Sequence, residues 1–401
     1  MLSLRVFVEN HVFHRAQKVV KEEIHDMGVQ TMLMEVIRKH IASIPPYVPG
    51  KPVAELEREM GVRGAVKMAS NENPLGPSTS AIESIGAYLS TCHIYPESSA
   101  PVLREAIASV FDLSAENVIL GNGSDEIMQL CAHILIGPGD QAIMPANSFS
   151  MYRIVTESFG GEPITVPLGK DYGLDLSKTG ELITDRTRII FLANPNSPTG
   201  TIVTSHSLKS FLADLPSQKI LVVLDEAYRE FVREPSCPEG SQFIMGNVPI
   251  IVLRTFSKIY GLAGLRVGYG LAQPWLIEIL NRVRAPFNAN SLAQVGALAA
   301  LTDTDHLRRS RELVWSGVDY LSAELTSLGF HVIPSQANFV CFCVGPKARD
   351  VYEYLLRNGI IVRHLASFGM EDWIRVTVGK MEHNEAFVRA LRGFVKDKNL
   401  E

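Results

Sequence analysis

The stretch Ile250-Ile251-Val252-Leu253-Arg254-Thr255-Phe256-Ser257-Lys258-Ile259-Tyr260-Gly261-Leu262-Ala263-Gly264-Leu265-Arg266 begins as a buried strand and ends as a polar turn. A short apolar run of this kind fits a strand covered on both faces. Lys258 comes just after it, beside the hydroxyl residues Thr255 and Ser257, with Arg266 eight residues further on. A lysine past a buried strand is either a solvated loop residue or, once desolvated, an amine nucleophile. Thr255, Ser257 and Arg266 are residue types that can hold a phosphate.

Working outward, the same pattern recurs. Val118-Leu120, Ala142-Pro145, Ile189-Ala193, Ile220-Leu224 and Val267-Leu271 also read as buried strands, and Asp125-Leu135 and Ser205-Leu215 as helices between them. Strand and helix in alternation predict an α/β layer with a mostly parallel sheet. Ligands bind such sheets at the carboxyl ends of their strands, and the polar, glycine-containing motifs fall just past those ends. From about residue 290 the pattern changes. A helical stretch Leu292-Leu301 runs into an amphipathic segment through Leu328, and Phe339-Val344, Ile360-Val362 and Trp373-Val378 read as strands of a second, smaller α+β domain. The expected division is an extension over 1–34, an arm and part of the small domain over 35–68, a large domain over 69–288 and a small domain over 289–401. Pro45-Pro46-Tyr47-Val48-Pro49-Gly50-Lys51-Pro52 is too rich in proline for helix or central strand and reads as an extended arm.

Gly121-Asn122-Gly123-Ser124-Asp125-Glu126 follows one strand and opens a helix. It is either an ordinary capped helix start or a phosphate site made of free N–H groups and the helix dipole. Asp225-Glu226-Ala227-Tyr228 ends another strand. Asp225 is a helix cap, a magnesium ligand, or a carboxylate able to hold a pyridine nitrogen protonated, with Tyr228 one turn away to meet the same ring. No phosphate-binding P-loop accompanies it to favour magnesium. Asn194-Pro195-Asn196-Ser197-Pro198-Thr199-Gly200 is a rigid turn that can set an amide against a ring hydroxyl. Arg375 sits inside the apolar strand Trp373-Val378, and Arg363 follows Ile360-Val362. A desolvated arginine requires an anion, unless it is an edge-strand charge that blocks aggregation.

The 401 residues are 46% hydrophobic and 20% charged, with a net charge of -5. That balance offers no basic surface for nucleic acid, and no apolar run approaches the ~20 residues that span a bilayer. Five cysteines without a C-x-x-C pair read as reduced thiols of a cytoplasmic protein. No metal is called for.

In order and spacing, these motifs resemble the fold-type-I aminotransferases of the aspartate aminotransferase class, and within it the histidinol-phosphate aminotransferases, from about Ile41 to the C-terminus. The resemblance implies the pyridoxal-phosphate-dependent transferase fold: a large domain with a mostly parallel seven-stranded sheet plus a smaller α+β domain. It implies pyridoxal 5'-phosphate as cofactor. Lys258 would carry the cofactor as a Schiff base, Asp225 would pair with its pyridine nitrogen and Tyr228 with its ring hydroxyl. Gly123, Ser124, Ser257 and Arg266 would hold its phosphate, with Asp125 nearby, and Phe149 would stack on the ring. Tyr95 matches a tyrosine that reaches the partner subunit's cofactor phosphate, which implies a homodimer. Tyr47, Arg363 and Arg375 match residues that grip the substrate phosphate. In one departure, Ser197 stands where the family commonly has Asn before Pro-Thr-Gly, and Asn196 is expected to supply the amide instead.

The reaction so implied moves the amino group of L-histidinol phosphate to 2-oxoglutarate, giving imidazole acetol phosphate and glutamate. An aromatic amino-acid aminotransferase and a threonine-phosphate decarboxylase would use much the same residues. A non-catalytic, cofactor-binding regulator is disfavoured by intact Lys258, Asp225 and Arg375.

Overall fold

The computed structural model describes residues 33–216 and 218–397, the last without its side chain. The extension expected over 1–34 therefore lies outside the described residues, apart from its last two. Before Pro46 there is a short helix, Lys39–Ala42, while Pro46–Glu401 forms a separate compact unit that carries everything described below.

Among the described residues its strands are β1 (Val66–Lys67), β2 (Val118–Gly121), β3 (Gln141–Pro145), β4 (Glu162–Val166), β5 (Thr187–Ala193), β6 (Leu221–Asp225), β7 (Ile250–Thr255), β8 (Gly268–Ala272), β9 (His331–Ile333), β10 (Phe339–Cys343), β11 (Ile360–Ile361), β12 (Arg363–His364) and β13 (Trp373–Thr377). The large sheet has seven strands in the order β2-β8-β7-β6-β5-β3-β4. Only β8 runs against its neighbours β2 and β7. Six strands thus end along one edge of the sheet, and β8 begins there. Residues preceding β8 are brought to the same edge as residues following the others.

Each central strand is buried on both faces, and alternate residues serve different cores. Ile189, Phe191, Val223 and Ile251 pack with the helices Ser124–Leu135, Met151–Ser158 and Pro274–Val283 on one face. Ile190, Leu192, Val222, Leu224 and Val252 face the other core. This period of two also sets where a strand-end side chain points. Asp225 shares the face of Leu221 and Val223, and Glu226 emerges on the opposite side, where it meets Arg254 at 2.7 Å.

The strands read from the sequence all form. Edge strand β4 was not foreseen. It pairs only with β3 and carries Pro163, which is tolerated because an edge strand has one ladder to satisfy. The run expected as a strand over Ile360–Val362 is strand only at Ile360 and Ile361, and a separate two-residue strand follows it. Ile360 and Ile361 pair in parallel with Val66 and Lys67, while Arg363 and His364 pair with Arg375 and Ile374. β13 is an inner member of the four-stranded sheet β12-β13-β10-β9, so Arg375 is not an edge charge. No helix among the described residues is long and apolar enough to cross a membrane.

Candidate active site

Strand register builds an anion cup. Gly121 at the end of β2 stands opposite Gly268, and Gly268 stands opposite Thr255 at the end of β7. The helix Ser124–Leu135 therefore starts beside Ser257 and Arg266. Two glycines make this close approach possible. A Cβ on Gly123 (φ +77°) would lie 2.5 Å from Arg266 Nη2, and one on Gly268 would lie 2.6 Å from the Ser124 nitrogen. Arg266 itself takes the left-handed φ of 53°. Its Nη2 donates to Asp125 Oδ2 at 3.2 Å and its Nη1 to Ser257 Oγ at 3.4 Å. Helix N–H groups, a guanidinium and hydroxyls in one cup suit a phosphate.

The cup opens into a cavity of about 170 Å³ lined by Asp225, Tyr228, Lys258, Phe149 and Tyr47. Lys258 Nζ donates to the Ser70 carbonyl at 3.2 Å and lies 5.5 Å from the centre of the Tyr228 ring. Asp225 is 6% exposed. Burial pushes its carboxyl up to about 6, against the Tyr152 hydroxyl, the Ala227 N–H and Lys258, which all favour the charged form. For Tyr228 burial also acts upward, but the charges of Lys258 and Arg375, with the Asn71 and Ser197 side chains, leave its phenol below the usual range. Phe149 meets Tyr47 edge to face, with ring centres 6.4 Å apart.

Arg375 lies beside this cavity. Its Nη1 donates to Ser197 Oγ at 2.9 Å and its Nη2 to the Ala69 carbonyl at 2.8 Å, while Nε has no partner. No carboxylate pairs with it among the described residues. Desolvation lowers its pKa, although Tyr228 opposes that. Arg363 reaches the arm, donating to the Val48 carbonyl at 2.8 Å, and thus stands next to Tyr47. Phe368 lies under both guanidinium groups, 5.7 Å from that of Arg363 and 6.0 Å from that of Arg375.

One expected residue is placed elsewhere. Asn196 does not face the cavity, which corrects the expectation that its amide meets a ring hydroxyl. Its Nδ2 donates to the Asn147 carbonyl and Thr199 Oγ1, and its Oδ1 accepts from Ser148. Both of its N–H groups are spent locking the turn, and Ser197 lines the cavity instead. Tyr95 is 79% exposed and stacks on Phe287 at 4.7 Å, outside its own chain's cavity. Four contributors went unread in the sequence. Asn71 Nδ2 donates to the Tyr228 hydroxyl at 2.8 Å, Ala69 and Ser70 offer carbonyls to Arg375 and Lys258, and Tyr152 donates to Asp225 Oδ2 at 2.7 Å. The signal for the first was a polar pair, Ser70-Asn71, directly after an apolar run. Tyr152 carried none beyond its place in a helix.

A group with a phosphate, a flat ring and a basic ring nitrogen fits these residues: a cup for the first, Phe149 for the second and a buried carboxylate for the third. This chemistry and this sheet belong to the class I and II aminotransferases, whose family model matches residues 63–391, and the chain is a member of that family. Enzymes of this class use pyridoxal 5'-phosphate. Within the class the chain belongs with the histidinol-phosphate aminotransferases. It is 46% identical to the one from Moorella thermoacetica over 356 residues, 88% of this chain and 92% of the relative. It is 43% identical to histidinol-phosphate aminotransferase 1 of Nitrosococcus oceani, covering 92% and 99%. Among solved structures, histidinol-phosphate aminotransferase from Sinorhizobium meliloti in complex with pyridoxal-5'-phosphate superposes with a TM-score of 0.84 at 25% identity, over 90% of this chain and 98% of that one.

Proposed function

We propose that the enzyme transfers the amino group of L-histidinol phosphate to 2-oxoglutarate, yielding imidazole acetol phosphate and glutamate, and that it works in the cytoplasm as a homodimer. The observation that carries the substrate reading is Arg375: 6% exposed, inside an apolar strand, with Nε unpartnered. A buried cation of this kind calls for an anionic ligand. A guanidinium fork accepts the phosphate of one substrate and the carboxylate of the other, so one site can serve both halves of a ping-pong exchange. Names carried by relatives of 43–46% identity support the same substrate.

In this reading Lys258 anchors the cofactor through Nζ, Asp225 and Tyr228 hold its ring, and Gly123, Ser124, Ser257 and Arg266, with Asp125 close by, hold its phosphate. Bound there, pyridoxal phosphate supplies an electron sink for the pair left when the substrate Cα–H bond breaks. Arg375 and Arg363, with Tyr47, hold the substrate's anionic end so that its amine faces Lys258. With the cofactor held there, Lys258 Nζ would be the base that takes the substrate Cα proton and the acid that returns it two atoms further on, across the amino nitrogen. Asp225 is buried and Phe149 half-buried, so little water would reach the ring between them. Tyr95 serves a second copy of the cavity, which its exposed position permits.

The test is a single-turnover mix of the yellow holoenzyme with L-histidinol phosphate, beside L-phenylalanine and threonine phosphate. Fast bleaching with histidinol phosphate, reversed by 2-oxoglutarate, is expected. Faster bleaching with phenylalanine, or carbon dioxide from threonine phosphate, overturns the substrate assignment.

A further inference from the structure

Tyr152 is 1% exposed, yet its hydroxyl ends in the cavity wall rather than in the core. The period of two in β6 explains this. Asp225 points to the face covered by the helix Met151–Ser158, and Tyr152 lies in the first turn of that helix. Its ring is clamped on Phe191, with ring centres 4.8 Å apart and planes 10° apart, and is met edge-on by Phe149. The clamp turns the hydroxyl to Asp225 Oδ2, to which it donates at 2.7 Å; Oδ1 accepts the Ala227 N–H at 3.1 Å. A buried tyrosine commonly satisfies its hydroxyl, but a carboxylate in a cofactor cavity is not needed for that purpose alone.

We propose that Tyr152 is a positioning residue for the cofactor ring: through its hydroxyl it holds Asp225 Oδ2 and sets how that carboxylate meets the pyridine nitrogen. The proposal rests on the reading of Asp225 as the ring-nitrogen partner. The groups facing Asp225 are few. Tyr152 and the Ala227 N–H bond it directly, Lys258 attracts its charge and Asp125 repels it; Tyr228 stands close to Tyr152. Among the described residues, Tyr152 is the one side chain that donates a hydrogen bond to the carboxylate. Losing that bond disfavours the ionised carboxylate, so the pH at which Asp225 protonates rises.

The experiment measures cofactor retention by the holoenzyme, from its visible absorbance after dialysis between pH 5 and 9, for wild type, Tyr152→Phe, Phe191→Leu and Asp225→Asn. Tyr152→Phe keeps the clamped ring and is expected to weaken retention at neutral pH about ten- to a hundredfold, the size of one hydrogen bond to a charged group. Its acid limb is expected to move to higher pH. Phe191→Leu loosens the clamp without removing the hydroxyl; it is expected to lower the melting temperature and leave the acid limb in place. Equal shifts in Tyr152→Phe and Phe191→Leu would mean that Tyr152 acts only by packing, which overturns the proposal. If Asp225→Asn abolishes the acid limb while Tyr152→Phe matches wild type, Tyr152 alone has been misread. If Asp225→Asn itself behaves as wild type, the ring-nitrogen assignment fails and this proposal with it.

Discussion

Arg375 and Ser197 stand 178 residues apart in sequence and 2.9 Å apart in space, guanidinium Nη1 to hydroxyl Oγ. The bond joins an inner strand of the small sheet to the turn that follows β5. It leaves the guanidinium aimed yet incompletely satisfied, since Nε has no partner. Arg375→Ala is expected to lose roughly 2–5 kcal/mol of binding to anionic substrates, seen as a fall in kcat/KM, because the substrate's charge is left desolvated and unpaired. Arg375→Lys is expected to restore little of it, since a point charge lacks the fork. Unchanged kcat/KM for Arg375→Ala would remove the basis of the substrate reading.

Lys258→Ala is expected to lower turnover by at least about 10²–10⁴-fold, the usual share of a positioned acid–base group. Borohydride treatment is expected to tag wild type with the cofactor and leave the variant untagged. Turnover near that of wild type would exclude Lys258 from the chemistry.

Asp225 links chemistry to stability through its titration. In the folded protein without cofactor it titrates near 6, above the ordinary 3.8, with burial as the main cause. Folding thus favours the protonated form: the stabilisation is complete below about pH 4 and is lost as pH rises through about 6. Asn carries no charge to bury. Stripped Asp225→Asn protein is therefore expected to be more stable than stripped wild type at pH 8, by on the order of 2–3 kcal/mol, and the difference is expected to close toward pH 4. Urea melts at the two pH values check both the sign and the window.

Arg254 is 4% exposed and holds three glutamates on the far side of the sheet: Glu226 at 2.7 Å, Glu230 at 3.0 Å, and Glu239. Burial pushes the Glu226 carboxyl up to about 7 even with Arg254 beside it. Arg254→Met is expected to cost about 3–5 kcal/mol by stranding that carboxyl, measured by chemical denaturation at pH 8. A loss below about 1 kcal/mol would mean that water reaches the network.

Tyr95 offers a test of the assembly. Tyr95→Ala and Lys258→Ala proteins, each inactive or nearly so, are expected to regain activity when unfolded together and refolded as a mixture, because one of the two cavities in a mixed dimer then has both residues intact. No recovery would argue that Tyr95 serves no neighbouring cavity.

That the residues of the anion cup come together was legible because its parts are local. Each lies within a few residues of a strand end, and strand ends are marked by apolar runs that stop at Gly, Asp or Ser. The antiparallel β8 was not legible from periodicity, yet it alone explains why Arg266, ahead of a strand, joins residues that follow strands. Asn71 was missed because its partners lie 157 and 306 residues away, and nothing in a polar turn announces them. Asn196 and Ser197 show a finer limit. The turn was plain from its prolines, but which of two adjacent side chains looks into the cavity depends on hydrogen bonds to Asn147 and Ser148 that no local pattern encodes.

The segment Ala69–Asn71 touches Arg375, Lys258 and Tyr228, and Asn71 is itself tied to Thr377. The residues of the anion cup are all present in the chain by Gly268, whereas Arg375 comes on β13, more than a hundred residues later. On the proposed reading, the part of the chain that holds the coenzyme and the part that tells one amine from another are written in separate stretches, and Ala69–Asn71 is the thread that ties them.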